Sequence, residues 1–84
     1  MPAPRWTVYL LKSRKKEDCY YVGLTSDIVT RIETHNSGGS LHTASARPWR
    51  IVVTVEFDDE SKAVRFERYL KSGSGRAFAN RHFR

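Results

Sequence analysis

Residues 20–36 read YYVGLTSDIVTRIETHN, and this stretch decides the fold. Its first six residues are rich in aromatic and β-branched side chains, which predicts a β-strand. The polar residues 25–27 can cap the helix that the following residues predict. Because tyrosines occupy consecutive strand positions, one hydroxyl points to each face of the sheet. Arg31 and His35 are four residues apart, so we expect them on one face of the helix.

The segment before this stretch predicts the partner strand of a hairpin. Residues 6–13 are apolar on both faces, as a central strand is. A charged turn then leads into the second strand, residues 19–25, so the two strands pair in antiparallel fashion. The length of the turn places Tyr9 and Tyr21 on the same face of the sheet, directly opposite or diagonal to each other.

The second half of the chain predicts one more strand and two more helices. A strand is predicted over 49–57, a helix over 61–71 after an acidic turn, and a short third helix over 76–83. The serines and glycines of 72–75 are expected to separate these helices. The sequence therefore predicts an α+β fold, a three-stranded antiparallel sheet flanked by helices in the order β-β-α-β-α-α.

Length and composition favour one small domain. The 84 residues, 39% hydrophobic and 29% charged, leave room for one core, so we expect a single domain over 1–84 with a flexible N-terminal segment at 1–5. No apolar run approaches the roughly 20 residues of a membrane helix, and the N-terminus lacks the apolar core of a signal peptide. We therefore expect a cytoplasmic protein without a membrane partner. Cys19 is the sole cysteine, which excludes an internal disulfide.

The charge balance points to a polyanionic partner. Fifteen Lys and Arg residues against nine Asp and Glu residues give a formal net charge of +6. An excess of this size on a small domain favours nucleic acid as the partner and speeds the encounter with it.

Glu67 is unusual in its predicted helix. Ala63, Phe66 and Leu70 form an apolar stripe, and Glu67 lies only about 40° from Ala63 around the helix. A carboxylate on an inward face costs free energy unless it is paired or holds a metal. The alternative is a glutamate at the edge of the interface, paired with a nearby cation, for which the sequence offers Arg68, Lys71 and Arg31.

The other polar residues also have simple structural explanations when each is taken alone. Arg31 can pair with Asp27 on the helix surface, His35 can cover the end of its helix, and the tyrosines can be cross-strand packing. Together they describe a site that cleaves phosphodiester bonds. Such a site needs a divalent ion held by carboxylates, a guanidinium for the phosphate oxygens, and a group that takes a proton from water.

The sequence resembles the GIY-YIG nuclease domain over nearly its whole length. Thr7-Val8-Tyr9 resembles the first motif, with threonine in place of its glycine, and Tyr21-Val22-Gly23 resembles the second. Arg31 and His35 match the family's helix positions, Glu67 its metal-binding glutamate, and Asn80 its C-terminal asparagine. The small stand-alone bacterial members are matched further by the residues around His35 and by Thr43, Pro48 and 70–78.

The resemblance implies a nuclease that cuts DNA, or less expectedly RNA, with one Mg²⁺ or Mn²⁺ ion at Glu67. In this interpretation Arg31 stabilises the charge on the phosphorus centre, and His35 hydrogen-bonds to a tyrosine or to the phosphate. Tyr9 or Tyr21 orients or deprotonates the water, and the sequence does not choose between them. Gly23 and Asn80 are supporting residues. The cations expected to contact the nucleic-acid backbone are Lys15, Lys16, Arg47, Arg50 and Arg76.

Two other functions stay open at this level. The first is a nucleic-acid-binding module that keeps the fold and has lost turnover. The second is an interaction domain whose aromatic residues meet a larger partner protein. Because the family's catalytic module is commonly joined to a DNA-binding domain, such a partner could supply substrate recognition to an active nuclease as well.

Overall fold

A three-stranded antiparallel sheet organises the protein. The structure, a computed structural model, describes residues 5–84. Its strands are β1 (Trp6–Ser13), β2 (Tyr20–Thr25) and β3 (Trp49–Phe57), in the spatial order β2-β1-β3. The central place of β1 agrees with its apolar character on both faces, and the α+β fold and element order predicted from the sequence are confirmed.

The register of the hairpin brings the two tyrosines together. Tyr9 pairs with Gly23 and Leu11 pairs with Tyr21, so Tyr9 and Tyr21 are diagonal neighbours on one face, as predicted. The turn between the strands is closed by Ser13, whose hydroxyl oxygen accepts the backbone N–H groups of residues 15 and 16 at 3.1 and 2.9 Å. This turn fixes the register, and a slip of one residue would move Tyr21 to the opposite face.

Three helices complete the fold. They are α1 (Ile28–Ser37), α2 (Glu60–Lys71) and α3 (Gly73–His82), with a short 3₁₀ turn at Ala44–Ala46 between α1 and β3. The helix α3 begins three residues earlier than the sequence predicted, because Ser72 caps it by accepting the N–H of Gly75. The first turn of α3 can therefore contain both glycines that were expected to separate the two helices.

Each face of the sheet has its own core. On one face Val8 packs with Ala63 and Leu70 of α2 and with Ala79 of α3. On the other face, covered by α1 and the 3₁₀ turn, the buried residues are Tyr9, Leu11, Ala46 and Trp49. The first core is wholly apolar and joins the helices to the sheet, whereas the second contains a phenol and an indole. Within residues 5–84 no helix is both long and apolar enough to cross a membrane.

Candidate active site

Tyr9 occupies the centre of the site. It lies midway along the central strand and exposes only 2% of its surface. Its ring crosses its neighbour Gly23 on β2, so that a methyl group at position 23 would overlap the Tyr9 hydroxyl. A side chain at position 23 would therefore have to displace that phenol. The glycine of the second motif is thus required by the tyrosine of the first.

His35 meets Tyr9 from α1. Its Nε2 lies 3.0 Å from the Tyr9 hydroxyl oxygen, and the side chain is buried with 1% exposure. The helix that carries it is capped at its start by Asp27, whose carboxylate accepts the N–H of Thr30, and at its end by Gly38, which has a left-handed conformation. Both caps are formed by residues next to the helix. They define its two ends, and His35 lies in the last turn, where its imidazole enters the core.

Thr43 completes a buried hydrogen-bonded chain. Its hydroxyl oxygen lies 2.7 Å from His35 Nδ1, on the side of the ring away from Tyr9, and 3.5 Å from the carbonyl oxygen of Ser40. The arrangement that satisfies every group has Tyr9 donating to Nε2, Nδ1–H donating to Thr43, and Thr43 donating to Ser40. In this arrangement His35 is neutral and is ready to accept the proton of Tyr9.

The loop that carries Thr43 is held by Trp49 and Asn36. The indole N–H of Trp49 donates to the carbonyl oxygen of Thr43 at 2.9 Å, and the backbone N–H of Trp49 donates to the Asn36 side-chain oxygen at 2.6 Å. The start of β3, the end of α1 and the loop are thereby tied together. Sequence reasoning had placed Thr43 only within the family pattern and had given it no part in the site. The signal available was a loop long for so small a domain.

Tyr21 stands beside this chain without joining it. Its ring centroid lies 5.0 Å from that of His35 and 6.3 Å from that of Tyr9. The residue is half-buried, and its hydroxyl has no hydrogen bond to any of the residues that the structure describes. The structure thus distinguishes the two tyrosines. Tyr9 is interior and already has a proton acceptor, and Tyr21 is partly open to solvent.

The electrostatic environment keeps both buried groups neutral. Burial, and then the nearby Tyr21, raise the pKa of Tyr9 to about 12, with Arg31 opposing the rise and Glu67 adding to it. Burial, and then the charge of Arg31, lower the pKa of His35 below its ordinary value of 6.5. Arg31 and Glu67 therefore lie close enough to Tyr9 to act on its hydroxyl, although they come from different helices.

The guanidinium of Arg31, near Tyr9 and His35, has no ion-pair partner within residues 5–84. It is exposed on α1 and lines a hollow of about 200 Å³. The carboxylate of Asp27 bonds to the backbone and hydroxyl of Thr30, and within residues 5–84 Arg31 forms no ion pair. The surface pair with Asp27 that offered a simple explanation for Arg31 is therefore not formed. An unpaired guanidinium beside a phenol can receive an anionic group.

Glu67 approaches the site from α2. Its side chain is 20% exposed and accepts a hydrogen bond from the ammonium group of Lys71 at 3.2 Å, so one of the cations foreseen as its partner is used. Glu67 acts on Tyr9 electrostatically, and no cluster of three His, Cys, Asp or Glu side chains suited to a metal occurs in 5–84. Within residues 5–84 a metal at Glu67 would thus have at most one further ligand among these side chains.

Comparison with known proteins decides the family. Residues 5–81 match the GIY-YIG catalytic domain. The chain belongs to the GIY-YIG family. A UPF0213 protein of Cupriavidus necator is 36% identical over 77 residues, which cover 87% of this chain and 82% of the relative. The solved structure of a UPF0213 protein from Bacillus halodurans has 34% identity and a TM-score of 0.55, and the match covers 90% of this chain and 80% of that one.

A second group of relatives is much longer than this chain. The structure-specific endonuclease subunit SLX1 of Scheffersomyces stipitis is 39% identical over 67 residues, covering 71% of this chain and 20% of the relative. A protein of Talaromyces marneffei with the same name is 35% identical over 78 residues, covering 80% of this chain and 20% of the relative. The chain therefore spans about a fifth of the length of these endonuclease subunits.

The remaining residues predicted for the site take no part in the hydrogen-bonded chain of Tyr9, His35 and Thr43. Asn80 is exposed on α3, and its side chain has no hydrogen bond to a residue in the described part of the chain. The predicted backbone-contacting cations fall into two sets. The first set lies at the end of the sheet where Ser13 pairs with Trp49. The second consists of Arg76 alone, on α3. The members of the first set, all exposed, are Lys15, Lys16, Arg47 and Arg50.

Proposed function

We propose that this protein is an endonuclease that hydrolyses phosphodiester bonds in nucleic acid, with DNA as the favoured substrate. The observation that carries the proposal is the buried chain from Tyr9 through His35 to Thr43, with the charges of Arg31 and Glu67 acting on its phenol. A neutral imidazole bonded to a buried phenol can move a proton in one step, and ordinary packing does not require such a pair.

In the proposed reaction Tyr9 takes a proton from the attacking water while its own proton passes to His35 Nε2. Tyr9 suits this role better than Tyr21, because a neutral phenol can accept a proton only if it has somewhere to send its own. The resulting hydroxide attacks phosphorus, and the bond to the leaving oxygen breaks as that oxygen gains a proton from solvent. Nδ1–H of the imidazolium donates to Thr43, which stabilises the transient charge.

Arg31 and Tyr21 would handle the substrate. The unpaired guanidinium of Arg31 presents a planar set of donors for the non-bridging phosphate oxygens, whose negative charge increases in the transition state. The Tyr21 hydroxyl is free to orient the water against Tyr9. Arg31 is exposed and Tyr21 is partly exposed, so a phosphate can reach both side chains.

The proposal includes Mg²⁺ or Mn²⁺ at Glu67. Mg²⁺ is commonly held by one or two carboxylates, with water and substrate phosphate completing its shell, so one half-buried carboxylate beside a phosphate site fits this mode. Lys71 can then release Glu67 and pair with the phosphate. When bound, the ion would supply charge neutralisation at the phosphate oxygens.

The outer residues enter the proposal as substrate contacts. Asn80 supports the site from α3 when nucleic acid is bound. The exposed cations at the end of the sheet contact the backbone phosphates, which would position the substrate without reading its sequence. Because the longer relatives are named subunits, we extend the proposal to a protein partner that supplies substrate recognition. The expected cytoplasmic location remains a prediction.

The rival function is an inactive module that binds nucleic acid, and the Lys71–Glu67 ion pair is the observation that favours it. In that case the carboxylate serves only to hold a surface lysine. The rival and the endonuclease differ in what happens when the carboxylate is removed, since a binding module keeps its affinity and an enzyme loses turnover.

The test is cleavage of labelled single-stranded, duplex, flapped and branched DNA and RNA with Mg²⁺, Mn²⁺ or EDTA. The endonuclease requires metal-dependent cutting that Glu67→Ala and Arg31→Ala each reduce by at least 100-fold, about 2.7 kcal/mol in the barrier. Glu33→Ala is the matched control, because Glu33 is an exposed carboxylate on α1. Binding without cutting by the folded protein in every metal would establish the inactive module. Cutting that survives both substitutions would place the site elsewhere.

A further inference from the structure

A cleft of about 510 Å³ opens beside the edge strand β2, between the sheet and the helices α2 and α3. Its walls carry Tyr20 and Asp18 on the sheet side and Lys71 and Arg76 on the helical side, with Arg84 after the end of α3. The cleft lies next to the candidate active site, because Tyr21 also lines it and Lys71 is the ion-pair partner of Glu67.

The charges of the cleft suit phosphate groups. It contains the cations of Lys71, Arg76 and Arg84 against the single carboxylate of Asp18. In the described part of the chain Arg76 and Arg84 form no ion pair with a carboxylate. Two unpaired guanidinium groups in one groove are electrostatically unfavourable in isolation, and an anionic ligand would relieve their repulsion.

Tyr20 adds a flat surface to this groove. The guanidinium carbon of Arg84 lies 3.7 Å from the centroid of its ring, and the ammonium group of Lys12 lies 5.7 Å from it. A planar guanidinium at this distance rests on the aromatic face as a nucleobase does. Tyr20 is half-buried, so its ring is fixed by the strand while part of it stays accessible.

We propose that this cleft binds an unpaired segment of nucleic acid next to the cleaved phosphate. One base takes the place of the Arg84 guanidinium on the Tyr20 ring, and the phosphates on either side of it meet Arg76 and the displaced Arg84. The ligand is single-stranded because a base inside a duplex already has both faces stacked and cannot use the tyrosine. The position of the cleft next to the cleaved phosphate rests on the proposed nuclease function. The inference adds that the substrate has a single-stranded branch or end.

Binding of labelled DNA in EDTA tests the proposal without cleavage. The full chain is titrated with a single strand, a blunt duplex, and a duplex that carries a single-stranded extension. Tyr20→Leu should weaken binding of the single strand and of the extended duplex by about tenfold or more, and should change binding of the blunt duplex less than twofold. Tyr20→Trp should keep or strengthen single-strand binding, because the indole offers a larger stacking surface.

Tyr69→Leu is the matched control, since Tyr69 is 40% exposed on α2 outside the cleft. Loss of affinity for all three DNA forms alike, or for none, in Tyr20→Leu would overturn the proposal. If Tyr20→Leu does not fold, as judged by circular dichroism, the exposed pair Arg76→Gln and Arg84→Gln takes its place. Each of these variants should weaken single-strand binding more than blunt-duplex binding, and an equal loss would overturn the proposal.

The two proposals fail in different ways. If the protein binds single strands through Tyr20 but never cuts them, the proposal for the cleft is supported and the proposed nuclease function is contradicted. If the protein cuts DNA with a metal but wild type and Tyr20→Leu show the same preference among the DNA forms, the nuclease function is supported. The proposal for the cleft is then contradicted.

Discussion

The hydroxyl of Thr43 ends the hydrogen-bonded chain that starts at Tyr9. It is buried, and its neighbour in the chain is the His35 Nδ1 atom at 2.7 Å. In the proposed reaction this nitrogen carries a proton throughout, so Thr43 has a constant role as its acceptor. The demand on Thr43 is greatest when His35 is an imidazolium, because hydrogen bonds from charged donors are the stronger ones.

Thr43→Val tests this role, since valine keeps the shape and removes the hydroxyl. We expect the cleavage rate to fall about tenfold, roughly 1.4 kcal/mol, from the loss of one hydrogen bond to a charged donor. The acid limb of the pH–rate profile should lie below 6.5 in the wild type, because burial and the charge of Arg31 lower the pKa of His35. Without its acceptor the imidazolium is less stable, so the limb should move to still lower pH.

The matched control is Thr43→Ser, which keeps the hydroxyl and should keep both the rate and the pH profile near wild type. A reduced rate in Thr43→Val with an unmoved acid limb would mean that Thr43 only supports the fold. The pH profile is therefore the deciding measurement.

The residues of the site were predictable to different degrees. Strand pairing placed Tyr9 beside Tyr21, and helix spacing placed Arg31 beside His35, because both are short-range regularities. A contact between His35 and a tyrosine was implied only by the family resemblance. The burial of His35 could not be predicted, because it depends on Thr43 and on a loop whose path is set by tertiary contacts with Trp49. Glu67 was singled out by its inward position, and its ion pair with Lys71 was among the alternatives.

Among the helices, α2 and α3 meet in a tight corner that depends on one glycine. Gly75 is buried in the first turn of α3, and a methyl group there would overlap the backbone carbonyl of Tyr69. The sequence predicted a break at 72–75 because glycine and serine are common in turns. It could not show that Gly75 is needed for the close approach of two helices, since that contact is visible only once α2 and α3 are packed.

Gly75→Ala is expected to destabilise the protein by about 1–3 kcal/mol, because the rigid carbonyl cannot move without shifting α3. For a domain of this size each kcal/mol lowers the melting temperature by roughly 4–8 °C. Gly73→Ala is the control, because a methyl group at position 73 would meet no atom within 4 Å and alanine favours the helix. Equal melting temperatures for the two variants would show that the corner tolerates a side chain at both positions.

At the scale of the whole molecule, exposed positive charge falls into two groups. The exposed cations at the end of the sheet form one group, and those of the cleft beside β2 form the other. The net charge of +6 predicted a polyanionic partner from composition alone. Composition could not show this division, because the cations come from separate segments that strand pairing and helix packing bring together.

This division predicts how binding responds to salt. If both groups contact phosphates, log K for single-stranded DNA falls linearly with log salt concentration, and each contact adds about 0.7 to the magnitude of the slope. Arg76→Gln in the cleft and Arg50→Gln at the end of the sheet should each reduce the magnitude by about that amount. Arg65→Gln is the control, because Arg65 is exposed on α2 and lines neither surface. A slope reduced by Arg76→Gln alone would confine the nucleic acid to the cleft, and equal reductions in all three variants would show that only the net charge matters.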